Sequence, residues 1–310
     1  MSDEAIRPYK HVAVLYGGPS PERDVSLDSG RAVVRGLLAS GYTVSEIDVV
    51  GRDVVFPADV DAAFIALHGE FGEDGAVQTI LESRGMPYTG SGPEASRLAF
   101  DKRESKARFE SAGVRTPAYE CLAGTEGRTL ALPVVVKPPC QGSTIGVHIV
   151  REEADWVAAV EDALRYDTEI ICETYIPGRE LTVGILGHDA LPVVEIKARD
   201  GWYDYDAKYT AGLTEYVVPA PLSAEQADAC HALACDAYDS LGCRGFGRVD
   251  LREAPDGAFH VLEVNTIPGF TETSLLPMAA AESGMDFVAL CDTIARSAGC
   301  AGTMEVEHAV

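Results

Sequence analysis

The chain has 310 residues, 46% hydrophobic and 24% charged, which is enough for two or three lobes sharing a sizeable core. Its formal charge of −24 excludes general binding to nucleic acid or to anionic membrane, since both need a positive surface. A phosphate ligand stays open, because it needs only a local cluster of Lys, Arg and backbone N–H groups.

The apolar run His11-Val12-Ala13-Val14-Leu15-Tyr16 ends at Gly17-Gly18 and reads as a buried strand entering a glycine turn. Pro19-Ser20-Pro21-Glu22-Arg23-Asp24 follows, then a helical pattern with Val25, Ala32, Val33 and Leu37 on one face. A second strand is expected over 61–67, ending in His68-Gly69, and Glu73-Asp74-Gly75 leads into another helix through Leu81. Alternating strands and helices predict a parallel sheet with ligands beyond the carboxyl ends of its strands, where both glycine turns lie. Neither turn matches Gly-x-Gly-x-x-Gly, so a nicotinamide site is unsupported.

Residues 96–112 read as one charged helix carrying Lys102 and Lys106. Leu132-Pro133-Val134-Val135-Val136-Lys137-Pro138 is a strand with a lysine at its end, and Gly142-Ser143-Thr144 is a small-residue loop. Such a loop turns N–H groups toward phosphate oxygens; it also fits a plain turn, and it lacks the Walker A spacing. One more strand is expected over 169–176. Strands over 181–186 and 191–197 flank the hairpin signal Gly187-His188-Asp189. An aromatic-rich loop follows over 201–214, then a helix over 223–241, two strands and a terminal helix.

Those last strands carry the sharpest inference. Asp256-Gly257 is a strong two-residue hairpin signal between Gly247-Arg248-Val249-Asp250 and Glu263-Val264-Asn265. With these two as the loop, Asp250 faces Glu263 and Arg248 faces Asn265, all four on one face of the ribbon. The other face, Val249, Leu251, Leu262 and Val264, becomes core. Opposed carboxylates repel, and a hard divalent cation would reverse that; Asp, Glu and Asn oxygens suit magnesium. The same pattern also fits a surface hairpin whose charges are solvated.

Eight cysteines, at 121, 140, 172, 230, 235, 243, 291 and 300, include no Cys-x-x-Cys pair, which favours reduced thiols in a cytoplasmic protein. The polar first ten residues do not read as a signal peptide, and no apolar run has transmembrane length.

Taken in order, the motifs resemble the D-alanine–D-alanine ligases of the ATP-grasp superfamily. They are Gly17-Gly18-x-Ser20-x-Glu22, His68-Gly69, Glu73-Asp74-Gly75, Tyr88-Thr89-Gly90-Ser91-Gly92 and Asp101-Lys102. Then come Val136-Lys137-Pro138, Gly142-Ser143, Tyr203-Asp204-Tyr205-Asp206-Ala207-Lys208-Tyr209, Gly247-Arg248-Val249-Asp250, Glu263-Val264-Asn265-Thr266-x-Pro268-Gly269 and Ser274-Leu275. The likeness runs from His11 to about Ser297. It implies an α/β chain: an ATP-grasp fold preceded by an N-terminal doubly wound parallel-sheet domain. The expected parts are an N-terminal domain over 1–95, a central ATP-binding domain over 96–180, and a C-terminal domain over 181–310 carrying a lid loop over 199–215.

The resemblance also implies roles. Lys102 and Lys137 would bind ATP phosphates with the Gly142-Ser143 loop, Glu173 to Ile176 the adenine and Glu180 the ribose. Asp250, Glu263 and Asn265 would hold two magnesium (or manganese) ions. Glu22 would take the ammonium of the first D-alanine, with His68 beside that subsite. Arg248 and the Gly269 N–H would stabilise the oxyanion, Lys208 would reach the transferred phosphate, and Ser274 and Leu275 the second carboxylate. Tyr209 would link to Ser143 and Glu22 to close the lid, and a tyrosine there goes with D-alanine as acceptor. The implied product is D-alanyl-D-alanine for peptidoglycan precursor synthesis, made by a homodimer; the alternative is an ATP-grasp ligase for D-lactate, D-serine or another amino acid. Asp24, Pro139-Cys140-Gln141 and Gly269-Phe270-Thr271-Glu272-Thr273 depart from the commoner forms.

Overall fold

The computed structural model describes residues 7–198 and 214–300. Its first sheet has the order β2-β1-β3, with β1 (His11–Gly17), β2 (Thr43–Val49) and β3 (Ala62–Ile65) all parallel. Because side chains alternate along a strand, the central β1 must fill two cores. Val12, Val14 and Tyr16 pack with Val33, Val34 and Leu37 of α1 (Arg23–Ala39), while Leu15 joins Ile65, Leu67, Val77 and Leu81 under α2 (Ala76–Ser83). The doubly wound expectation is met.

The helix expected over 96–112 is two. Asp101 leaves helical geometry (φ −86°, ψ 102°), ending α3 (Pro93–Phe100) and capping α4 (Lys102–Ala112), where its carboxylate accepts from the Arg103 N–H at 2.9 Å. Next comes an antiparallel sheet of order β4-β7-β5-β6, from β4 (Tyr119–Leu122), β5 (Val134–Lys137), β6 (His148–Val150) and β7 (Ile170–Thr174). Helix α5 (Glu153–Ala163) covers one face through Trp156, Ala159, Val160 and Ala163.

The third sheet, also antiparallel, runs β11-β10-β8-β12-β13, with the short β9 (Asp189–Ala190) beside β8. Its strands are β8 (Arg179–Leu186), β10 (Val194–Ala198), β11 (Thr214–Val217), β12 (Phe246–Glu253) and β13 (Phe259–Asn265). Thr214 and Glu215, expected in the lid, therefore belong to a paired strand. Helix α6 (Ala224–Ser240) packs on this sheet and opens with a capping box of Ser223 and Gln226.

One terminal helix was expected and two are present. Gly284 (φ 88°) and the capping Asp286 separate α7 (Leu275–Glu282) from α8 (Phe287–Arg296). Helix α8 returns to the first sheet, where Leu290, Cys291 and Ile294 pack into the core under α1. Among the described residues no helix is long and apolar enough to cross a membrane.

The β12–β13 hairpin has the expected register at its functional end, with Asp250 opposite Glu263 and Arg248 opposite Asn265. It gets there differently. The Gly257 N–H donates to Ala254 O and the Ala254 N–H to Ala258 O, both at 2.8 Å, so Pro255, Asp256 and Gly257 (φ 82°) form a three-residue loop. That slips the lower pairs by one residue, and a bulge at Leu262 slips them back. The bulge turns Leu262 out of the core, where it was expected, and into a cavity wall.

Candidate active site

Two cavities meet between the sheets. The larger, about 770 Å³, lies where the glycine turns of the first sheet face the hairpin and the amino end of α7. Glu22, His68, Gly142, Ser143, Arg248, Glu263, Asn265, Gly269, Ser274 and Leu275 line it. The narrower lies between the two antiparallel sheets, lined by Lys137, Glu173, Ile176, Glu180, Asp250 and Leu262. Lys102, Gly142, Ser143 and Glu263 belong to both. Every described residue to which the resemblance gives a site role thus lines one of the two joined cavities, although their numbers span 22 to 275. Lys208 and Tyr209, with the rest of the expected lid, lie outside the described residues.

On the wall of the large chamber, Glu22 accepts a hydrogen bond from the Ser143 hydroxyl. Its carboxylate is pinched between two glycines: a Cβ at Gly69 would come within 2.7 Å of Oε2, and one at Gly142 within 2.8 Å. Ser143 (φ 50°) and Thr144 (φ 62°) both hold left-handed backbone, which curls the loop over Glu22. Ser20 ties the two turns together by donating to His68 O at 2.6 Å. Burial pushes the Glu73 carboxyl above the ordinary range, against the pull of His68 and with the Glu22 charge adding to the rise.

Ser274 and Leu275 line the same chamber, where α7 opens at Leu275 and its first helical bond is Met278 N–H to Ser274 O at 2.9 Å. The Leu275 and Leu276 N–H groups precede that bond, which makes this end a seat for a carboxylate. The Ser274 hydroxyl does not cap the helix; it accepts from the Thr271 N–H at 2.9 Å and braces the loop beginning at Gly269.

Charge is balanced along the shared wall. Lys102 Nζ lies 3.1 Å from Glu263 and donates to Gln141 O at 2.7 Å. Burial opposes its charge, but Glu263, with Cys140 and Glu73 adding, holds the ammonium above the usual lysine range. Asp250 takes both prongs of Arg248 and a 2.6 Å bond from Thr182. Under the narrower cavity Glu173 lies between two lysines, Lys137 at 2.6 Å and Lys106 at 2.7 Å. Burial would raise the Glu173 carboxyl; the two lysines overcome this and hold it below the ordinary range. Glu180 is met by Arg252 at 3.1 Å.

Asp250, Glu263 and Asn265 offer two carboxylates and an amide oxygen on one face, a donor set that fits a hard divalent cation. Among the described residues no three His, Cys, Asp or Glu side chains gather as a metal site. A cation here must therefore add Asn265, water or substrate oxygens to the two carboxylates.

Ser29, Lys106, Thr182 and Arg252 join the site without a role expected from the sequence, and Leu262 joins it although its place on the strand predicts core. Lys106 sits one helical turn beyond Lys102, a spacing that puts both on one face of α4. Ser29 lies on the apolar side of α1 with Ser26, Val33 and Leu37, and a hydroxyl on a buried face needs a partner. The bulge that moves Leu262 left no signal in the residue types.

Residues 108–296 match the family described as D-ala D-ala ligase C-terminus, and residues 51–91 that described as D-ala D-ala ligase N-terminus. A D-alanine–D-alanine ligase of Methylacidiphilum infernorum is 47% identical over 287 residues, covering 92% of this chain and 94% of that one. The enzyme of that name from Geotalea uraniireducens is 46% identical over 297 residues, covering 93% and 96%. Among solved structures, the Bacillus anthracis D-alanine–D-alanine ligase complexed with ATP aligns with a TM-score of 0.82 at 34% identity, over 93% of this chain and 96% of that one. The VanG D-Ala:D-Ser ligase of Enterococcus faecalis aligns at 0.80 with 30% identity, over 92% and 98%. Two antiparallel sheets closing on a lysine- and carboxylate-lined cleft, behind a parallel-sheet lobe, define an ATP-grasp ligase. The chain belongs to the D-alanine–D-alanine ligase family.

Proposed function

We propose that the chain joins two D-alanines into D-alanyl-D-alanine, cleaving ATP to ADP and phosphate through a D-alanyl phosphate. The observation that carries this reading is one chamber lined both by the Glu22 carboxylate and by the amino end of α7, sharing Lys102, Gly142, Ser143 and Glu263 with the cleft between the antiparallel sheets. An amino acid ammonium suits Glu22 and a carboxylate suits the amino end of α7, with the reacting carbonyl between them.

In this reading Glu173 to Ile176 and Leu262 receive the adenine and Glu180 the ribose. Lys102 and Lys137 meet the phosphates beside the Gly142-Ser143 loop. Glu22 holds the ammonium of the first D-alanine by a charge-assisted hydrogen bond, and that substrate's carboxylate attacks the γ-phosphate. The second D-alanine, its carboxylate on Ser274 and Leu275, attacks the acyl carbon through its amine. The oxyanion formed meets Arg248 and the Gly269 N–H. Magnesium (or manganese) held by Asp250, Glu263 and Asn265 would spread the charge of the transferring phosphoryl group. Lys208 and Tyr209 keep the roles the resemblance implies.

The same reading divides the chain into parts over 1–95, 96–180 and 181–310, each with its own sheet, and makes it a cytoplasmic homodimer. The deciding experiment is coupled ADP release with D-alanine, L-alanine and D-lactate, with and without magnesium, plus product mass. Turnover needing D-alanine and magnesium, with one dipeptide per ADP, is expected. Turnover only with another acceptor would overturn the specificity, and none with any would overturn the reaction.

A further inference from the structure

The loop 267–270 is held at both ends by side chains of the N-terminal lobe, one from α1 and one from the turn after β3. At one end His68 Nδ1 lies 2.9 Å from Ile267 O; a carbonyl only accepts, so Nδ1 carries the proton. At the other end the Phe270 N–H donates to the Ser29 hydroxyl at 3.0 Å. Ser29 and His68 are joined to each other, Oγ to Nε2 at 2.9 Å. In the neutral ring Nε2 accepts, so Ser29 gives its proton to His68 and its lone pair to Phe270.

Every polar atom in this chain is thereby used, and both residues are buried. Neither ring nitrogen of His68 is left for a substrate. Between the two held ends lies Gly269, whose N–H is the expected oxyanion donor. An oxyanion donor works by being aimed before the charge develops, and a loop held at one end only would leave that aim loose.

We infer that Ser29 and His68 form a two-point clamp that aims the Gly269 N–H, with Ser29 a positioning residue for the second half of the reaction. This rests on the ligase reading above. In this reading the Gly269 N–H meets the charge that develops on the acyl oxygen in the second step, so loosening the clamp slows attack by the second amine more than acyl phosphate formation. Waiting acyl phosphate then meets water instead. Water adds to the acyl carbon, the C–O bond to phosphate breaks, and D-alanine and inorganic phosphate are released with ATP already spent. The signature is uncoupling: more ADP than dipeptide.

The test measures ADP and dipeptide together in the full-length enzyme with ATP, magnesium and D-alanine. Three variants are compared: Ser29→Ala; Ser29→Cys, which keeps the shape with a slightly larger atom and weakens both bonds; and Ser26→Ala. Ser26 lies one turn earlier on α1 and holds Gly17 and Ala66, so it disturbs the same helix without touching 267–270. Removing an oxyanion donor outright costs about 10²- to 10³-fold, and a misaimed donor should cost about tenfold in dipeptide rate. Both Ser29 variants are expected to release at least about two ADP per dipeptide, while wild type and Ser26→Ala stay at about one. One-to-one stoichiometry in both Ser29 variants, or equal uncoupling in Ser26→Ala, overturns the clamp alone. A wild type that makes no dipeptide overturns the ligase reading and the clamp with it.

Discussion

Arg248 grips Asp250 from two residues away on the same strand, Nε to Oδ1 at 2.8 Å and Nη2 to Oδ2 at 2.7 Å. The residue proposed to meet the oxyanion thus neutralises a carboxylate proposed to meet the metal. A cation at Asp250 competes with the guanidinium for the same two oxygens, so cation binding should loosen the pair and release Arg248 donors toward the reacting carbonyl. The two effects of Arg248→Ala then have opposite signs. Turnover should fall at least about a hundredfold with the lost oxyanion partner. Binding of manganese alone, followed by isothermal titration, should tighten several-fold because its competitor is gone. Unchanged or weaker metal affinity would show that the pair does not compete with the cation.

Gly142 offers a substitution that separates substrate binding from folding. An added Cβ would lie 2.8 Å from Glu22 Oε2, and what it meets is the far end of a side chain, not backbone. The carboxylate can swing aside, so Gly142→Ala should move the melting temperature by no more than about 2 °C, as surface changes of under about half a kcal/mol do. Swinging aside, however, removes Glu22 from Ser143 and from the ammonium it is proposed to hold. The expected result is a rise in KM for D-alanine of at least about tenfold, one charge-assisted hydrogen bond, with KM for ATP little changed. Equal losses for both substrates would place the damage in the nucleotide cleft instead.

What could be read beforehand was what local pattern encodes. The β1 run and its glycine turn, the break into α1, and the carboxylates of the hairpin all follow from alternation and turn chemistry within about twenty residues. The register at Asp250 and Glu263 was right although its derivation was not, because the three-residue loop and the Leu262 bulge cancel at that point. Leu262 paid no such dividend and changed face. Asp101 was hidden because one charged helix and two helices sharing a cap have nearly the same composition. Ser29 and Lys106 were missed for another reason: their partners, Phe270 and Glu173, are 241 and 67 positions away, and no local pattern reports such a distance.

Cys140, beside the Gly142-Ser143 loop, invites the idea of a reactive thiol, and its surroundings oppose it. Burial pushes the thiol up to about 12, with Asp101 and Asp167 adding to the rise. At pH 8 about one in 10⁴ such thiols is ionised, against roughly one in four for an ordinary cysteine. A more basic thiolate attacks faster, with a Brønsted slope of about 0.4–0.5, which returns part of that loss. The net expectation is exchange with a soluble aromatic disulfide on the order of fiftyfold slower than for a free thiol. Peptide mapping over a time course at pH 8 checks it; labelling of Cys140 ahead of the exposed Cys121 would show the opposite.

The buried triad under the narrower cavity predicts a pH dependence of stability. Lys106 has no exposed side-chain surface, and burial lowers its ammonium to about 8; Glu173 pulls it up and Lys137 pushes it further down. Thr116 also accepts from it at 2.7 Å, and the Tyr119 ring lies 5.3 Å away. Between about pH 8 and the ordinary lysine value near 10.4, the unfolded chain still holds a proton that the folded chain has lost. Stability must therefore rise with pH across that window. Below about 8 the cost of the buried charge is present in full, and above about 10.4 it is gone. One unit is worth 1.36 kcal/mol, so the whole change is at most about 3 kcal/mol. Lys106→Met removes the titrating group and leaves Glu173 with Lys137 alone. Melting temperatures of the two proteins should then converge or diverge by several degrees between pH 7.5 and 10, always in the direction that favours wild type at the higher pH. Parallel curves would mean that Lys106 stays charged throughout, its neighbours having overcome the cost of burying it.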